Sequence, residues 1–78
     1  MTTTDTCISA NLGELERRLT IARNRTSAAI ACMAEGNRNG AIGTLVGVEH
    51  MLAEARALTT TVLLLHRAEP LGLFEVPS

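Results

Sequence analysis

The stretch Glu35-Gly36-Asn37-Arg38-Asn39 separates two segments that share one hydrophobic rhythm, and reading it as a turn decides the fold. Glycine accepts the left-handed backbone that commonly closes a helix, and either asparagine can cap a helix starting behind it. Before the turn, Leu12, Leu15, Leu19, Ala22, Thr26, Ala29 and Met33 recur at alternating steps of three and four. After it, Ala41, Leu45, Val48, Leu52, Ala55, Thr59 and Val62 do the same. That spacing lines one stripe of an α-helix, and a link this short joins antiparallel neighbours. The expected fold is all-α: a coiled-coil-like antiparallel hairpin of two helices.

The outer boundaries follow from end signals. Asn11 with Glu14 three positions later has capping-box spacing, which predicts helix 1 over about 11–35 and leaves 1–10 as a flexible N-terminus. Helix 2 is predicted over about 38–68, because Pro70 disfavours helical geometry at Glu69. Residues 11–69 then form the hairpin and 70–78 an apolar C-terminal tail.

Folding the two stripes about the turn stacks Leu12 on Val62, Leu19 on Ala55, Ala22 on Leu52 and Met33 on Ala41, so that large residues meet small ones. It also brings Arg18 near Glu54 and Arg25 near Glu49. A second column on helix 2, Met51, Leu58 and Leu65, supplemented by Ile42, Leu63 and Leu64, lies outside this seam. So wide a stripe is rarely left in water. The cover expected for it is a second copy of the chain, giving a homodimeric four-helix bundle, with a different protein as the other candidate. The tail, which carries Phe74, is expected to fold back over the bundle or across the dimer, and these seven residues form the candidate dimer or partner interface.

Composition narrows the function classes. Of 78 residues 46% are apolar and 19% charged, which opposes disorder, and Phe74 is the only aromatic, so the core must be aliphatic. A net charge of −1 gives no overall field toward nucleic acid or an anionic membrane. No run approaches a membrane span, and Met1 to Asp5 lack a secretion signal, so a cytoplasmic setting without membrane contact is expected. All seven basic residues are arginine, a bias that fits GC-rich bacterial or phage genomes.

Candidate chemistry is sparse. Cys7, Cys32, His50 and His66 are too few and too scattered for a metal site, and Cys7 with His66 at the open end gives only two ligands. His50 is placed to pair with Glu54 one turn on. The glycines Gly40, Gly43 and Gly47 match no phosphate-binding spacing, and their expected role is close approach of helix 2 to the small residues near the end of helix 1. No cofactor or catalytic motif is present, so the chain reads as a non-enzyme. The expected function is a small interaction module, an adaptor or inhibitor that binds a larger protein, of the kind bacteria and their phages or mobile elements encode. The alternative is a dimeric nucleic-acid-binding regulator that uses Arg17, Arg18, Arg23, Arg25 and Arg38 as its contact face.

Overall fold

A computed structural model describes residues 1–68 of the chain. Among them are two α-helices and no strand: α1, Thr3–Ala34, and α2, Arg38–Ala68. The helices pack antiparallel along their length, each about 48 Å long at 1.5 Å per residue.

The turn forms as its residues dictate. Gly36 sits at φ 75°, its N–H donates to Met33 O at 3.0 Å, and the Asn37 N–H donates to Cys32 O at 2.8 Å. These two bonds make a Schellman motif that satisfies carbonyls the end of α1 would otherwise leave open. Asn37 then caps α2, its Oδ1 accepting from Gly40 N at 2.9 Å. Gly40 leaves room for that cap, since a Cβ there would collide with the Asn37 side chain.

The start of α1 differs from the expectation. The helix begins at Thr3, and Thr2 is the N-cap: its hydroxyl accepts from Asp5 N at 3.1 Å while the Asp5 carboxylate accepts from Thr2 N at 3.0 Å. Asn11 is inside the helix, its side-chain amide donating back to Cys7 O. Both candidate boxes have the required spacing, and the earlier one wins because it adds two turns of helix whose Thr4 and Ile8 find cover.

The seam is also rotated relative to the expected one. Leu12, Leu19, Leu45 and Leu52, all placed between the helices by the sequence reading, are 48%, 47%, 47% and 50% exposed. Leu15, Ala22 and Ala29 on α1 and Ala41, Val48, Ala55 and Val62 on α2 are turned inward as expected, and the column that completes the seam is Thr4 and Arg18 on α1 and Thr44, Met51 and Leu58 on α2. Each helix carries apolar or small residues on about three adjacent columns, and one neighbouring helix covers only two. The pair selected on α2 includes the column of Met51, Leu58 and Leu65, all half-buried. That column, assigned above to a dimer interface, belongs to the hairpin. Leu12 and Leu52, the large members of the layers expected with Val62 and Ala22, are half exposed at the edge of the seam.

The rotation matches the polar groups. Arg18 Nε donates to Glu54 Oε2 at 2.9 Å, and Arg25 Nη1 donates to Gly47 O at 3.3 Å. The first contact is the expected one; the second replaces the expected approach of Arg25 to Glu49. A Cβ on Gly47 would lie 2.9 Å from the Arg25 guanidinium, while Gly43 has nothing within 4 Å. The glycines thus make room for a cap and an arginine, or face open space, rather than bringing two backbones together. Nothing is deeply cored: among the described residues no large side chain is fully buried, and the buried apolar set is Ala22, Ala41, Val48, Ala55 and Ala68.

Candidate functional site

Rotating the seam leaves one side of the hairpin apolar and the other polar. The helical repeat puts Leu12, Leu19 and Met33 in one column of α1, with Ile30 in the next, and Leu45 and Leu52 in one column of α2, with Ile42 beside them. In an antiparallel pair these columns flank the seam on the same side. The geometry agrees at the turn end, where Thr26, Ala29, Ile30 and Met33 line a single groove with Ala41, Ile42 and Leu45. Further from the turn, Leu12, Leu15 and Leu19 border a shallow groove with Glu16 and Arg23, and Leu45, Val46 and Leu52 border another with Glu49.

The opposite side carries the ion pairs. Glu14 accepts from both Arg17 and Arg18, Arg18 continues to Glu54, and Glu54 contacts His50 Nε2 at 3.1 Å, the pairing the sequence anticipates. Arg18 foremost and Arg17 second hold the Glu14 carboxyl below its ordinary range, and the Arg18 guanidinium is held correspondingly more basic, by Glu14 above all. Met51 and Ile21 line the small hollow beneath this network together with Arg17, Arg18 and Glu54.

These placements redistribute the candidate interface. Ile42, Leu63 and Leu64 are exposed, Ile42 and Leu63, three heptads apart, in one column on the open apolar side; Met51, Leu58 and Leu65 are turned toward α1; Phe74 and the rest of the tail lie outside the described residues. Leu12, Leu19, Ile30, Met33, Leu45 and Leu52, which the sequence reading spent on the hairpin seam or left unused, are the residues that open to solvent. The signal that could have identified them is the third column on each helix, which is one more than a single neighbour covers.

The arginines do not form one face. Arg17 and Arg18 join the acid network, Arg25 is spent on the Gly47 carbonyl, Arg23 borders the apolar side, and Arg38 opens α2 beside the turn. Among the described residues no three of His, Cys, Asp and Glu converge to hold a metal ion, both cysteines are free thiols, and no helix is long and apolar enough to cross a membrane. No family model, curated protein or solved structure matches the chain.

Proposed function

We propose that this chain is a non-enzymatic protein–protein interaction module, an adaptor or inhibitor that works by burying its open apolar face against another protein surface. One observation carries the reading: Leu12, Leu19, Ile30, Met33, Ile42, Leu45 and Leu52 are each about half exposed or more, and they share one side of the hairpin. Isolated exposed leucines are ordinary, but a continuous patch of this extent marks an interaction site. Burying the exposed halves of these seven side chains contributes roughly 5–10 kcal/mol per chain, a large sum for a hairpin whose own buried core is mostly alanine. The finer form of the reading is a bundle of four helices in which the missing layer of core is supplied from outside the chain.

The competing reading, a regulator that grips nucleic acid with the α1 arginines, has less behind it. A phosphate-tracking face needs several uncommitted cations on one side, whereas Arg17, Arg18 and Arg25 are already engaged within the hairpin.

The test is site-specific photo-crosslinking in the cell of origin. A photoreactive residue at Leu19 or Leu52 is expected to give discrete protein adducts, and one at Asn24 or Ala57, on the other side of the helices, is not. Absence of adducts from positions 19 and 52, or equal yields from all four, refutes the reading.

A further inference from the structure

We infer that the occupant of the open face is a second copy of this chain, laid on it about a twofold axis parallel to the helices, so that α1 of each protomer runs antiparallel beside α2 of the other. The inference rests on the reading of this face as a docking surface and adds the identity of the partner and its register.

The charges at the border of the face carry it. Arg18–Glu54 and Arg25–Gly47 fix which residues of the two helices lie level. Two residues back from Arg18 and two onward from Glu54, Glu16 is level with Arg56; two residues back from Arg25 and two onward from Gly47, Arg23 is level with Glu49. On their helices all four occupy the column next to the exposed leucines, on the outer rims of the apolar face. They are exposed, and none forms an ion pair among the described residues, in contrast to the charges of the opposite side. Within one protomer each level pair is held apart by the width of the hairpin. Together they make a checkerboard: negative Glu16 and positive Arg56 at one level, positive Arg23 and negative Glu49 one heptad, about 10 Å, further on.

A checkerboard of this kind complements itself. Rotation about an axis parallel to the helices brings Glu16 opposite the second copy's Arg56 and Arg23 opposite its Glu49, each twice. Rotation about an axis across the helices would also pair opposite charges, Glu16 with the second copy's Arg23. The apolar residues decide between the two. On the two leucine columns they thin out away from the turn, where Asp5, Thr59 and His66 follow, while on the Ile42 column Leu63 lies at the far end; at the turn Ile30 is level with Ile42. The crosswise axis would set Met33 against the second copy's Asp5, Ile30 against its Ser9 and Leu45 against its Thr59, and of the turn-end residues only Ile42 would meet an apolar one, Leu63. The parallel axis lays Ile30 on the second copy's Ile42, Leu19 on its Leu52, and Asp5 near its His66. An unrelated protein has no reason to match this pattern, whereas a twofold copy matches it by construction.

Sedimentation equilibrium of the full chain, with circular dichroism to confirm helicity, tests the arrangement. The native chain is expected to be a dimer that weakens with added salt. Arg23→Glu alone and Glu49→Arg alone each set like charges opposite one another at two places and are expected to raise Kd about tenfold, and the combined variant to return it to within about threefold of native. Should the Arg23 variants lose helicity, Glu16→Arg with Arg56→Glu repeats the test at the other level. A combined variant no tighter than the singles overturns the inference, because the crosswise axis predicts that result. A monomeric native chain that photo-crosslinks from position 52 to a different protein also overturns it, while leaving the docking surface itself standing. A monomer with no crosslink from that position overturns both.

Discussion

The glycines of α2 show how one residue type does different jobs within a short span. Gly43 has open space where a Cβ would go, so its only effect on the isolated hairpin is to loosen the helix. Gly43→Ala is therefore expected to stabilise the chain by about 0.8–1 kcal/mol in urea denaturation. A loss instead of a gain would mean that this position needs to be bare. Gly36, at φ 75°, is the opposite case: Gly36→Ala forces a side chain into the left-handed region and is expected to cost about 1–2 kcal/mol. Asp5 supplies a prediction in pH. The Thr2 backbone N–H first, and the Thr2 hydroxyl second, hold its carboxyl below the ordinary carboxylate range. A depressed folded value contributes stability above the unfolded pKa and loses it as pH falls through the folded one. The first turn of α1 should thus be intact at neutral pH and fray on acidification below about pH 4, where free carboxyls take up protons. Carbon chemical shifts of Thr3 to Thr6 report this directly, and Asp5→Asn should remove the pH dependence of that turn.

At the level of the helices, the stripe on α2 is wide enough to bury either of two column pairs, and that is where sequence and structure part. The two helices, the antiparallel hairpin and the Gly36 turn were legible, because periodicity and a left-handed glycine are local signals, and the register they fix set Arg18 near Glu54 without showing that Arg18 turns inward. The rotation of the seam was not, since Leu45 and Leu52 are as apolar as Met51 and Leu58 and spacing alone ranks neither pair. What settles it is long-range: turning Arg18 inward is tolerable only because Glu54 arrives on the other helix to meet it. The start of α1 was misplaced for a related reason, two capping boxes competing on equal local terms. Paired substitutions separate the columns. Leu58→Glu puts a carboxylate against α1 and is expected to unfold the hairpin, whereas Leu52→Glu, on the open side, is expected to leave helical content largely intact and abolish association. Circular dichroism and light scattering at one concentration read both. If Leu52→Glu unfolds the chain as completely as Leu58→Glu, the two columns are equally buried and the rotated seam is wrong.

For the whole molecule, the decisive quantity is how little one hairpin buries. Among the described residues, two helices of 32 and 31 residues are ordered against a buried apolar set of four alanines and one valine, supported by half-buried side chains along the seam. Fixing that much backbone opposes folding at every residue, and a small chain has little interior to offset it. The apolar side therefore does two jobs at once: it is the surface through which the chain meets its partner and the missing half of its core. Association then stabilises a helical but marginal hairpin, and mass action makes its melting depend on concentration. With an unfolding enthalpy near 0.7 kcal/mol per residue for a pair of chains, Tm is expected to rise by about 5 °C for each tenfold increase in protein concentration. Scanning calorimetry over a hundredfold range checks it. A Tm that does not move would show that the hairpin folds on its own and that its open face is purely a docking surface; a Tm that climbs as expected would make the interface part of the fold.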